Sequence, residues 1–156
     1  MRLTTEQAQA RLAGEVHGVL VTLHAQRGPV PQPVVYAVTP TIGGPDTASG
    51  GAAYIGVPID SVKPKTSNRL QRETNLAADP RASLLVEHWE TRDWGRLWWV
   101  RAQLEHVPDP PASLTDDLAD RLARAVPQYA DKPFHRILVC RIVGLTGWAA
   151  ADEGCG

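Results

Sequence analysis

Several common features are missing from this 156-residue sequence. No stretch approaches the roughly 18 consecutive apolar residues of a membrane span, and the opening MRLTTEQAQARL has polar side chains where a secretion signal carries its apolar region. The cytoplasm is the expected location. Cysteine is scarce: Cys140 sits in an apolar run and Cys155 in a Gly-flanked tail, so there is neither a disulfide framework nor a Cys-x-x-Cys pair. His17, His24, His88, His106 and His135 form no i,i+4 pair and no HExxH, which leaves a metal site without support. GxSxG, Walker and strand-linked GxGxxG sequences are absent, which removes the motif evidence for a hydrolase triad, a P-loop or a Rossmann site. A formal net charge of −1 lacks the basic excess of a protein that coats nucleic acid or an anionic membrane, so neither partner is expected. Redox chemistry carried by a bound cofactor survives these exclusions, because there the protein mainly binds, orients and excludes water.

What is present is enough apolar material, 43% of residues, for one core. The expected organisation is one domain over 1–150 and a flexible tail over 151–156. Thr4 and Gln7 are spaced as a capping box for a short helix that ends at Gly14. Residues 19–24 and 33–38 read as antiparallel strands joined by AQRGPVPQ, and 52–57 as a third strand after a long Gly/Pro/Ser/Thr-rich loop, 39–51. A helix is expected over 67–78, capped by Ser67, with Leu70 and Ala77 on one face. Strands follow at 83–89 and 96–107. In the second, Trp98, Val100, Ala102 and Leu104 alternate with Trp99, Arg101, Gln103 and Glu105. After the connector PDPPAS, TDDLADRLARAV forms an amphipathic helix whose early aspartates and late arginines suit the helix dipole. A last strand spans 135–144. The order predicts a mainly β (α+β) antiparallel barrel with short peripheral helices, and several Trp in so short a chain suggest a homodimer interface.

The main local anomaly is charge. Lys63, Lys65, Arg69 and Arg72 fall between Ser61 and Arg72 with no acidic residue among them. They follow a strand end at Pro58 and lead into a helix, an arrangement that suits an anionic phosphate. A solvated basic turn fits the same composition. The five Trp residues offer stacking faces for a flat heterocycle or serve core and interface packing. Arg101 either pairs with an acid or faces a cofactor or a subunit cleft. Tyr36 is a candidate proton donor with a packing role as its alternative.

PVVYAV, VPID followed by KPK, NRLQRETNLAADPRASLLVEHW, DWGRLWWVRAQLEHV, VPQY and GLTGWAA resemble, in order and over residues 18–150, the pyridoxamine 5'-phosphate oxidase-like class of coenzyme F-420-dependent oxidoreductases. The resemblance implies an FMN-binding-type split β-barrel, homodimeric, with a cofactor at each of two subunit clefts. It also implies hydride transfer between F-420 and an unsaturated small-molecule substrate. Lys63, Lys65, Thr66, Ser67, Arg69 and Arg72 would then hold the phosphate tail, Pro58 and Ile59 would approach the ring, and Trp148 would close over it from the partner chain. The alternatives are an FMN-dependent enzyme on the same barrel and a non-catalytic flavin or deazaflavin carrier. The sequence departs from the family pattern at Gln32, in the length of loop 39–51 and at Ser61-Val62. It also lacks the Arg-x-Val-Leu-x-Lys strand of the oxidases, since YIGVPI has no basic residue.

Overall fold

A computed structural model describes residues 1–40, 52–61 and 70–151. Residues 41–51 of the loop expected at 39–51, the segment 62–69 and the tail 152–156 lie outside the described residues. In chain order the elements are α1 (Thr5–Gly14), β1 (His17–His24), β2 (Gly28–Val35), β3 (Ala37–Val38), β4 (Tyr54–Asp60), α2 (Gln71–Ala78), β5 (Arg81–His88), β6 (Trp98–Val107), α3 (Ala112–Ala125) and β7 (Phe134–Ala149). Short 3₁₀ turns at Trp94–Arg96 and Pro127–Tyr129 precede β6 and β7.

The strands among the described residues form one antiparallel sheet in the order β2-β1-β5-β6-β7-β4-β3. The two edge strands, β2 and β3, are separated in sequence only by Tyr36. A chain that crosses from one edge of a sheet to the other in a single residue forces the edges together at that point, so the sheet must curl on itself. The result is a half-closed barrel. Tyr36 is fully buried at this seam, where its hydroxyl donates to the Leu12 carbonyl at 2.5 Å and its N–H to the Val16 carbonyl at 2.9 Å. The Tyr36 phenol is pushed well above its ordinary pKa by desolvation, with Glu15 adding to the effect. These bonds lock the seam, which is the packing role expected as the alternative for Tyr36.

Alternation sends Leu20, Leu84, Val86, Val100, Ala102 and Leu104 into the barrel, together with Ile55, Val57 and Ile59 of β4. The expected split of β6 is observed, with Trp98, Val100, Ala102 and Leu104 buried and Arg101, Gln103 and Glu105 exposed. Leu118 and Leu122 of α3 are buried in a second cluster, outside the barrel against Ala37, Tyr129 and Val139. The predicted capping box of α1 is present, with Gln7 N–H donating to Thr4 Oγ1 and Thr4 N–H to Gln7 Oε1.

Four sequence expectations are corrected. GPVPQ belongs to β2 rather than to the hairpin connection, which is only residues 25–27, followed by Gly28 at φ 76°. Pro29, Pro31 and Pro33 alternate, so their nitrogens all point away from β1 while Val30, Gln32 and Val34 keep the N–H groups that face it. Period-two proline thus leaves the ladder intact and strips donors from the free edge. Secondly, Leu70 has extended backbone and is the N-cap of α2, which therefore starts at Gln71 and buries Asn75 and Leu76, while Ala77 is exposed. Thirdly, α3 begins at Ala112, so Asp116, Asp117 and Asp120 lie mid-helix. Asp117 pairs with Arg121 and Asp120 with Lys132, and of the dipole pattern only Arg124 in the last turn remains. Fourthly, the final strand runs on to Ala149 and takes in GLTGWA. No helix among the described residues is long and apolar enough to cross a membrane.

Candidate functional site

The sequence-predicted site centres on the junction between β4 and α2. Strand β4 pairs with β7 in register from Tyr54↔Arg141 to Ile59↔Arg136, then slips so that Asp60 faces Phe134. Such a slip re-aims the side chain at the strand end. Asp60 is buried, and its Oδ2 accepts the Tyr129 hydroxyl at 2.5 Å. Burial, and then this hydrogen bond, push the Tyr129 phenol above its ordinary pKa, so it stays protonated as a donor. Tyr129 is held edge-on against Phe134 with ring centroids 5.0 Å apart. Ser61 N–H donates to the Pro133 carbonyl at 3.0 Å, fastening the next residue to the same connection.

On the far side of 62–69, Glu73 performs two tasks. Its Oε2 accepts the Leu70 N–H at 2.8 Å, starting α2, and its two oxygens accept Arg136 Nε and Nη2 at 2.8 and 3.0 Å. This bidentate pair ties the helix start to β7, one pairing step from Asp60. Asn75, two residues on, donates to Thr22 Oγ1 at 3.0 Å and accepts from Gln71, so α2 is bonded to the barrel interior through a buried amide. Arg72 lies between these anchors. Its Nε is buried and has no hydrogen-bond acceptor among the described residues. Desolvation lowers the pKa of its guanidinium, and the neighbouring Glu73, Asp60 and Tyr129 oppose that loss.

Of the predicted cofactor residues, Pro58 and Ile59 are neighbours at the end of β4, and Arg72 is near enough to the adjacent Asp60 to feel its charge. Ile59 is wholly inside the barrel core, and Pro58 is buried on the other face of β4. Lys63, Lys65, Thr66, Ser67 and Arg69 lie outside the described residues. Trp148 is elsewhere in the same chain: it pairs with Trp99, whereas Pro58 pairs with Ile137, on the order of 30 Å away along β7. Asp60, Glu73, Tyr129 and Arg136 were not singled out in the sequence. Asp60 and Glu73 were legible as the acids that bracket the basic segment, but nothing local marks Tyr129 or Arg136.

Two surface concavities flank this frame. One, about 640 Å³, lies between α2, α3 and β7 and is lined by Glu73, Ala77, His106, Pro108, Ile137 and Arg136 among others. Desolvation lowers the pKa of half-buried His106, which favours the neutral imidazole, with the Leu76 carbonyl opposing. The other, about 560 Å³, is on the outer sheet face and includes Val21, Leu23, Arg101, Gln103 and Val143. Arg101 is exposed there with its guanidinium 5.9 Å from the Trp99 ring centre, and among the described residues it forms no ion pair with an acid, the first of its two expected roles. Leu85 (39% exposed), Val143 (49%) and Trp148 (36%) stand on that side of the sheet. Cys140 is inside the barrel, its thiol pushed up to about 12 by burial, and is chemically quiet.

No protein-family model matches the sequence, and no curated protein does so. Solved structures do match. A FAD-binding protein from Mesorhizobium loti superposes with a TM-score of 0.63 at 14% identity, covering 94% of this chain and 95% of its own. A conserved hypothetical protein from Mycobacterium tuberculosis gives 0.65 at 20% identity, covering 99% and 89%. A protein provisionally named pyridoxamine 5'-phosphate oxidase from Corynebacterium glutamicum gives 0.51 at 16% identity, covering 94% of each chain. At these identities the likeness is one of fold, and the fold is the FMN-binding split barrel. The neighbours that share it include flavin-binding and pyridoxamine 5'-phosphate oxidase-like proteins.

Proposed function

We propose that this chain is an oxidoreductase that binds coenzyme F-420 and serves hydride transfer to an unsaturated small organic molecule. The observation that carries the reading is Arg72 Nε, a buried donor without an acceptor among the described residues, at the end of a sequence segment containing Lys63, Lys65 and Arg69. A buried donor left unpaired costs about 1–3 kcal/mol, and an anionic oxygen would remove that cost with a charge-assisted bond. The donor set therefore fits a phosphate tail. Lys63, Lys65 and Arg69 would supply charge, Thr66 and Ser67 hydroxyl donors, and Pro58 the strand end nearest the ring. When bound, the deazaflavin supplies a two-electron hydride donor or acceptor. The chain's own contribution is to orient the tail and exclude water, with Tyr129 held protonated beside Asp60.

The outer face supports a homodimer. Leu85, Val143 and Trp148, with half-buried Trp99 beside them, make an apolar and aromatic surface of the composition that interfaces use. Trp148 lies at the far end of β7 from the Pro58 pairing position in its own chain, so its contribution would come from the partner subunit. FMN is the second reading, favoured by the flavin-binding neighbours. It is opposed by YIGVPI, which offers no basic side chain on the strand where the oxidases carry Arg and Lys. Titration of the purified protein with F-420 and FMN in parallel tests the proposal. Tighter binding of F-420, and oxidation of reduced F-420 by one member of an enone and quinone panel, are expected. Preference for FMN would overturn the F-420 assignment, and binding without turnover across the panel would leave a carrier.

A further inference from the structure

On the outer face of the sheet, the register of β5 with β6 sets Leu85 opposite Arg101 and, two residues along, Glu87 opposite Trp99. Residues opposed across a ladder share a face, so these four mark the corners of a quadrilateral with sides of about 5–7 Å. Its two diagonals differ in kind. One joins Leu85 to Trp99 and is apolar; the other joins Arg101 to Glu87 and is charged. The apolar diagonal continues past the quadrilateral, because Val21 of β1 opposes Ser83, two residues before Leu85, and Leu23, two residues after Val21, opposes Pro29 of β2. Trp99, Leu85, Val21 and Pro29 therefore form an oblique apolar line with one residue on each of four strands. Arg101 and Glu87 flank that line from opposite sides. Both are exposed, and among the described residues neither forms an ion pair.

We infer that two copies of this chain pack these faces together about a twofold axis running along the Leu85–Trp99 diagonal, with Arg101 paired to Glu87 of the partner subunit on each side of it. A twofold axis lying in an interface sets residues on the axis against their own copies and exchanges the residues that flank it. Leu85 and Trp99 are then apolar against apolar, and each charge meets its opposite, twice. The other axes that superpose the quadrilateral on itself fail. Along the charged diagonal, arginine would face arginine and glutamate would face glutamate. Parallel or perpendicular to the strands, both charges would be set against Leu85 or Trp99 and desolvated without a partner, which is costly. This rests on the homodimer reading above, and adds the direction of the axis and the two charges that select it.

Sedimentation velocity of the wild-type protein, Arg101→Glu, Glu87→Arg and the double variant tests the inference, with far-UV circular dichroism recorded on each. Both positions are exposed, so the reversals should leave the fold intact. The wild type should be dimeric. Each single reversal creates two like-charge contacts across the axis and should weaken dimerisation roughly a hundredfold. The double variant should dimerise as wild type. An equimolar mixture of the two single variants should dimerise as well, because one copy then presents two acids and the other two arginines. Single reversals that dimerise as wild type, or a double variant or mixture that remains monomeric, would overturn the pairing and its axis while the homodimer reading stands. A monomeric wild type would overturn both.

Discussion

Gly56 of β4 and Leu118 of α3 meet so closely that a Cβ on Gly56 would lie 2.9 Å from Leu118 Cδ1 and 3.0 Å from Ile137 Cγ2. The helix rests on the strand at the one place where the strand has no side chain. Gly56→Ala should therefore destabilise by about 1–3 kcal/mol through overpacking. Leu118→Ala should cost about 2–5 kcal/mol through the cavity it leaves. Gly14→Ala, with nothing within 4 Å and no positive φ, should be neutral or stabilising by about 0.4–1 kcal/mol. Urea unfolding of the three variants ranks them, and a Gly56→Ala protein as stable as wild type would mean that α3 does not sit on β4 as described.

Tyr36→Phe removes the donor to the Leu12 carbonyl at the barrel seam. A loss of about 1–2 kcal/mol is expected, since a buried hydroxyl partner is deleted while the carbonyl remains. Cofactor affinity should not change. A fall in affinity without a fall in stability would restore Tyr36 to the site.

Lys63→Ala and Lys65→Ala should each weaken F-420 binding, and more at low than at high ionic strength, because screening already reduces a charge-assisted contact in salt. Arg124→Ala, in the last turn of α3, should not. Affinities measured at two salt concentrations decide it: a wild-type response in both lysine variants removes the basic segment from the site.

Leu85→Glu places a carboxylate on the exposed outer face of β5. If that face joins two copies, desolvating the new charge at the interface should shift sedimentation toward the monomer and weaken cofactor binding together. A dimer that survives unchanged would place the interface elsewhere.

Asp79 and Arg81 give a pH signature. The hydrogen bonds from the Arg81 side chain and backbone hold the Asp79 carboxyl at about 2, below its ordinary 3.8. A depressed carboxylate pKa stabilises the fold above the unfolded value and loses that contribution as the pH falls through the folded one. The melting temperature of Asp79→Asn should lie below that of wild type at pH 6 by a small margin, since the pair is solvent-exposed, and the gap should close between pH 4 and 2. A gap that is constant across that range would mean the pair contributes through something other than its charge.

The local patterns were legible because their causes are local. Thr4 and Gln7 are one helical turn apart, and the alternation of Trp98 to Leu104 follows from the two-residue period of a strand. Proline 29, 31 and 33 misled because proline usually marks a turn. Only knowing that the residues form an edge strand shows that every missing N–H faces away from the neighbour. Leu70 and not Ser67 starts α2 because a carboxylate, that of Glu73, is there to take its N–H, a choice that depends on Arg136 far along the chain.

By itself the sequence determined the strand faces, the existence of the three helices, the mainly β class and the concentration of positive charge before α2. The tertiary structure decided how the edges meet at Tyr36, that α3 seats on Gly56, and that Asp60 and Tyr129, 69 positions apart, share a hydrogen bond beside Arg72. The reason is physical: periodicity and charge are written along the chain, whereas the desolvation that makes a carboxylate, a phenol and a guanidinium depend on one another arises only when distant segments bury them together.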